Sequence, residues 1–225
     1  MTRAADVAVS AVRVTTTSGA VTVSAEADLH DVVAEGRPIQ LDGSTATIDS
    51  PGRRLDVRVP EGVDLVIGAT SGRVVVRGRV GSVAVVSSSG RVEIDDAASV
   101  DVRARSGRVR IGRSLGETRV VSHSGRVEIG HCGLADVAVT SGRIVLRDAA
   151  GPVRVHCASG RVEVTMAGAH DVEAETVSGR VSISLPHGTR ARVDARPSGS
   201  VTAPGDHDCV VTARTGSGRI DVSTR

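Results

Sequence analysis

The chain has 225 residues, with 28 basic side chains, all of them Arg, against 26 acidic ones, a near balance that gives no global pull toward nucleic acid or membrane. It contains no Phe, Tyr, Trp, Lys or Asn, so the rings that supply much of an ordinary core's buried area are missing. A core built from Ala and 41 Val must be narrow everywhere, which excludes a spherical domain and suits a thin solenoid.

The first fourteen residues, Met1 to Val14, hold no charged stretch followed by an unbroken apolar one, so they do not read as a signal peptide. No apolar run approaches the roughly 18 residues of a transmembrane helix. The expectation is a cytoplasmic protein with no membrane insertion. Residues 1–70 alternate like strands without a strict period, as in Val12-Arg13-Val14 and Ala20-Val21-Thr22-Val23. Ser18-Gly19 is a first Ser-Gly corner, 53 residues before Ser71. Leu55-Asp56-Val57-Arg58-Val59-Pro60 leads into Gly62-Val63-Asp64-Leu65-Val66. These residues are predicted to form irregular capping coils, as terminal repeats of a solenoid do.

From Ser71 onward the chain is periodic. Ser-Gly-Arg followed by Val or Ile begins at Ser71, Ser89, Ser106, Ser124, Ser141, Ser159, Ser178 and Ser217. Ser198-Gly199-Ser200-Val201 reads as a degenerate ninth copy between the last two, giving intervals of 17–20 residues. A period this short marks stacked repeats. Within one repeat, Arg91-Val92-Glu93-Ile94 and Val100-Asp101-Val102-Arg103-Ala104-Arg105 alternate polar and apolar, the mark of strands with one buried face. Ser-Gly supplies one corner, its Gly free to take a positive φ. The prediction is two main strands per coil.

Four inward ladders follow. Three places after each Ser stand Val74, Val92, Val109, Val127, Ile144, Val162 and Val181. Five places after stand Val76, Ile94, Ile111, Ile129, Leu146, Val164 and Ile183. Four places before the next Ser come Val85, Val102, Val120, Val137, Val155 and Ala174. The fourth ladder, two places before the Ser, is small: Ser87, Ala104, Ser122, Val139, Cys157 and Thr176. β-Branched residues suit such stacked parallel strands.

Outside, Arg73, Arg91, Arg108, Arg126, Arg143, Arg161 and Arg180 fall in one column. Neighbours at the strand spacing of about 4.8 Å repel by about 1 kcal/mol in water. Glu93, Glu128 and Glu163 stand where they relieve part of this. The chain finishes on Gly218-Arg219-Ile220-Asp221-Val222-Ser223, a strand with no capping helix after it. An uncapped last coil is a template for pairing with a second chain. The fold class predicted is all-β, a single-chain β-solenoid with right-handed winding. It forms one domain over 1–225, with capping coils at 1–70 and regular repeats at 71–225.

Leu55-Asp56-Val57-Arg58-Val59-Pro60-Glu61-Gly62, then Ala69-Thr70-Ser71-Gly72-Arg73-Val74 and the recurring Ser-Gly-x-Val, resemble a bacterial β-strand-repeat family of domains of unknown function, the "putative adhesin" family. The resemblance covers residues 12–222. It implies a single-chain β-solenoid and an adhesive role, and many family members are secreted or membrane-linked.

The chemistry-bearing residues point to binding before catalysis. A row of guanidinium groups suits an anionic polymer such as polysaccharide, nucleic acid or teichoic acid. The missing aromatics argue against single-stranded nucleic acid. His131-Cys132, His156-Cys157 and His207-Asp208-Cys209 carry zinc-type donors, but Cys157 lies on an inward ladder and His156 faces out, so they do not converge. No metal, cofactor or catalytic residue is predicted, and three unpatterned cysteines read as free thiols of a reducing compartment. Asp95, Asp96 and Asp148 are the candidates for a polysaccharide-active β-helix enzyme. The leading expectation is a non-enzymatic structural or interaction protein. Its partner would be a protein, an anionic polymer, or a second copy joined through terminal coils.

Overall fold

The computed structural model describes residues 2–3, 9–52, 54–196 and 207–225. They form strands and connecting turns, with no helix among the described residues. The chain divides into two compact units, Met1–Leu115 and Gly116–Arg225.

The first unit holds β1 (Thr2–Arg3), β2 (Ala11–Thr16), β3 (Ala20–Glu26), β4 (Val33–Ala34), β5 (Gln40–Asp42), β6 (Thr45–Ser50), β7 (Leu55–Pro60) and the start of β8 (Asp64–Ala149). The second holds the rest of β8, then β9 (Val153–Met166), β10 (Val172–Leu185), β11 (Ala191–Arg196) and β12 (Cys209–Thr224). An 86-residue strand is a strand that turns corners without dropping its hydrogen-bond ladder. β9 shows the unit of construction. It carries both short strands expected of a coil, with Ser159-Gly160 in the middle.

Register in the second unit is parallel and in phase. Ser141 pairs with Ser159, Gly142 with Gly160, Arg143 with Arg161 and Ile144 with Val162. One coil further, Ser159 pairs with Ser178 and Val164 with Ile183. The predicted inward ladders are buried throughout, apart from Ala104, which is half-buried.

The fourth ladder is small and polar for a further reason. Ser122 Oγ donates to the Ser124 carbonyl at 3.2 Å, Thr176 Oγ1 to Ser178 at 3.3 Å, and Cys157 Sγ to Ser159 at 3.4 Å. Each ties the strand to its own corner. Two more rows also point inward. Ala135, Val153 and Val172 share one of them, and Cys132, Ala149 and Met166 occupy the other. The bend opposite Ser-Gly is therefore part of the core, and Cys132 at that bend is 1% exposed.

Both chain ends depart from simple sequential stacking. In the first unit Val12 pairs with Ala46 on one side and Leu65 on the other. Val21 likewise lies between Leu55 and Val74. The first coil is thus inserted between two later ones, and the Ser71 amide donates to the Thr17 carbonyl at 3.0 Å. Short antiparallel pieces cover the outer edges: β5 lies against β6, and β4 with β1 against β7. At the other end β12 lies between β10 and β11. Ser217 pairs directly with Ser178, and Val211 is flanked by Val172 and Val193.

Two expectations change here. No coil separates the Ser178 and Ser217 corners, and Ser198-Gly199-Ser200-Val201 lies outside the described residues. β11 also covers the first half of the last strand, Cys209–Arg214, whereas its second half, Ser217–Thr224, pairs with β10 alone among the described residues and keeps the open edge expected there. Local alternation is satisfied equally well by any coil-sized neighbour, so chain order does not impose stacking order.

Candidate anion-binding groove

The Ser-Gly corners are held by a clash that only glycine avoids. At Gly160, φ is +144° and an added Cβ would sit 1.8 Å from the Gly142 carbonyl oxygen. At Gly218, φ is +150° and the same atom would meet the Gly179 oxygen at 1.8 Å. Coils therefore approach backbone to backbone along this corner, and the Arg that follows each Gly is placed in register with its neighbours.

In the second unit that register runs Arg143, Arg161, Arg180, Arg219. Together with Gly160, Gly179 and Gly218 these side chains line a shallow groove of about 710 Å³. Charge is distributed unevenly along it. One oxygen of Glu163 lies 3.8 Å from both Arg143 and Arg161. Ser182 follows Glu163 on that row, then Asp221, whose shorter side chain forms no ion pair among the described residues. Arg180 and Arg219 accordingly stand as adjacent cations without an ion pair among the described residues.

The remaining predicted column residues are compensated more often than not. Arg126 is 3.4 Å from Glu128. In the first unit Glu93 lies 3.6 Å from Arg73 and from Arg91. Arg108 follows the same Gly corner without an acidic partner among the described residues, and the next outward residue on its strand is Arg110. Arg219 is the member that sequence spacing misses. Its Ser-Gly-Arg-Ile signal is intact, but the intervening Ser198-Gly199-Ser200 copy puts it two steps from Arg180, and the register puts it one step away.

Of the candidates for other chemistry, Asp95 is exposed and the others are engaged elsewhere. Asp96, in the first unit, pairs with Arg113. Asp148, in the second, accepts from His131 at 2.7 Å. His156 lies 3.2 Å from Glu175. No group of three or more metal-ligating side chains occurs among the described residues.

Cys132, Cys157 and Cys209 are free and buried. Burial raises all three thiols, and Cys132, with the Asp148 charge adding to the effect, is pushed up to about 11. Buried thiols of this kind are poor nucleophiles near neutral pH. Because the folded thiol of Cys132 holds its proton above the ordinary value of 9.0, its contribution to stability is complete below pH 9. It is lost as pH rises toward 11, a change of about 2 kcal/mol. Denaturation followed across that range should show the loss, and Cys132→Ala should flatten it. An unchanged slope in the variant would assign the loss to other groups.

A model of the Toastrack DUF4097 family matches residues 2–225. The chain belongs to the Toastrack DUF4097 family. The family is one of domains of unknown function, in agreement with the resemblance carried by the Leu55–Pro60 segment and the Ser-Gly repeats. No curated protein matches this Toastrack chain. A crystal structure of a putative adhesin from Parabacteroides distasonis ATCC 8503 is similar in fold. It is 11% identical, with a TM-score of 0.52, over 100% of this chain and 95% of that one. A putative cell adhesion protein from Clostridium sporogenes ATCC 15579 aligns over 97% of this chain and 94% of its own, at 8% identity and a TM-score of 0.23.

Proposed function

We propose that this Toastrack chain is a non-enzymatic interaction protein, a repeat scaffold that holds outward side chains in rows for a partner to read. The observation that carries this is the in-phase register Arg143–Arg161–Arg180–Arg219. A backbone that repeats this closely fixes like side chains at one strand spacing, and such rows suit repetitive partners. The guanidinium row is the contact surface, and an anionic polymer is its partner. The adhesin designation of the Parabacteroides protein agrees with a binding role.

The chain winds right-handed, as parallel crossovers do. The same kind of coil builds both units, since the 17–18-residue spacing continues unbroken from Ser89 through Ser141. Free buried thiols favour a reducing, cytoplasmic setting. A second copy would add at β11, whose outer edge takes no partner among the described residues.

The test is a binding panel of acidic and neutral polymers, each recovered afterwards and sized. Saturable, salt-sensitive binding to at least one, with its length unchanged, is the expected result. Binding to none, or progressive shortening of a bound polymer, would overturn the proposal, and shortening would make the chain a polysaccharide-active enzyme.

A further inference from the structure

We propose that the polymer is an acidic polysaccharide with one carboxylate per sugar, and that it is held at Arg180 and Arg219 rather than along the whole arginine column. This rests on the interaction role argued above and names its partner.

Three observations converge on that end of the groove. Arg180 and Arg219 are paired in register, about 4.8 Å apart at the strand spacing, and neither has an acidic partner among the described residues. Their mutual repulsion is unrelieved in the free protein, so an incoming anion gains from both. Arg143 and Arg161 already share Glu163 and must release part of that interaction to bind anything else. Exposed Ser159, Ser178 and Ser217 form a second row two residues upstream on the same corner. Each coil thus offers one guanidinium and one hydroxyl at a fixed repeat.

The repeat selects the ligand. A guanidinium recognises carboxylate through paired, planar hydrogen bonds. An extended chain of acidic sugars presents one carboxylate and free hydroxyls per residue, with a pyranose ring and its glycosidic oxygen spanning a length close to one coil. Single-stranded nucleic acid would gain its affinity from stacking, and the chain has no aromatic ring of Phe, Tyr or Trp. The groove is floored by glycine backbone, which lets a polymer lie close without meeting a Cβ.

The experiment measures binding of the full chain to polygalacturonate, to neutral dextran and to a thymidine oligonucleotide, at low and raised salt. Polygalacturonate is expected to bind best and to weaken as salt rises. Arg180→Ser with Arg219→Ser should weaken it on the order of 100-fold, at roughly tenfold for each guanidinium–carboxylate hydrogen-bonded pair removed. Glu163→Gln, which frees Arg143 and Arg161, should strengthen it severalfold, an effect that a merely structural role for the row would not produce. Arg126→Ser, outside the groove, should leave it unchanged. These side chains are exposed or half-buried, and an unchanged melting temperature verifies the fold of each variant. Polygalacturonate binding no better than dextran, tighter binding of the oligonucleotide, or a double variant that binds as the parent does would each overturn the assignment. The panel above would then still show whether the chain binds any other polymer.

Discussion

Val211→Asp in β12 is expected to destabilise the protein by on the order of 5 kcal/mol, enough to unfold a marginal domain. Val211 is 0% exposed and is flanked by Val172 and Val193. Removing the buried Val side chain costs roughly 1.5–3 kcal/mol, and burying an unpaired carboxylate costs several more. The informative comparison is Val193→Asp in β11. Val193 comes earlier in the sequence, but β11 is the outer strand and Val193 is only half-buried. Its substitution should cost about 1 kcal/mol, in the ordinary range for a partly exposed site. Simple sequential stacking predicts the opposite ranking, with the last strand peripheral and β11 internal. Melting temperatures of the two variants decide the matter, and equal effects would refute the inserted position of β12.

Gly160→Ala should cost about 3–5 kcal/mol, although it adds a single methyl group. Two penalties combine. The backbone at φ +144° lies where a residue with a Cβ is strained by about 1–3 kcal/mol. The new Cβ would also stand 1.8 Å from the Gly142 carbonyl oxygen, and forcing coils apart in a packed region costs about 1–3 kcal/mol more. The obstacle is backbone, so no side chain can rotate away. Gly188 separates the two penalties. Its φ is +79°, and nothing lies within 4 Å of a Cβ there. Gly188→Ala should therefore cost only about 1 kcal/mol, from backbone conformation alone. If thermal unfolding shows equal losses at the two sites, the close approach of the corners is not what demands glycine.

The core ladders were legible in the sequence because two periodicities coincide. Alternation of two places Val162 and Val164 on one face. The repeat of 17–19 residues places Val127, Ile144 and Val181 on the same rows, and burial follows. The row of Cys132, Ala149 and Met166 was not legible, since its members share no chemistry and fall where a turn is expected. The inward bend needs only small or flexible side chains, and composition does not announce that. The carbonyl hydrogen bonds of Ser122, Thr176 and Cys157 were equally hidden, because a small polar residue fits a narrow corner whether or not it donates a hydrogen bond.

The guanidinium column was visible as spacing, but its electrostatics were not. Glu163 is two residues from Arg161 in sequence, and only the register shows that one carboxylate oxygen is also 3.8 Å from Arg143. The same register reveals that no comparable acid among the described residues reaches Arg180 or Arg219. Compensation between rows depends on side-chain length as well as position, as the short Asp221 shows.

By itself, the sequence determined that this chain would be a strand-built stack of coils with aliphatic ladders inside, glycine at one corner and arginine beside it. Those features are local, and they repeat every coil. Only the tertiary structure decided which coils are neighbours, tucking the first between others, laying β11 over the start of β12 and bringing Arg219 against Arg180. The physical reason is that every coil presents nearly the same backbone edge and the same row of aliphatic side chains. The interactions that choose between neighbours are therefore few, distant along the chain, and absent from the repeating pattern.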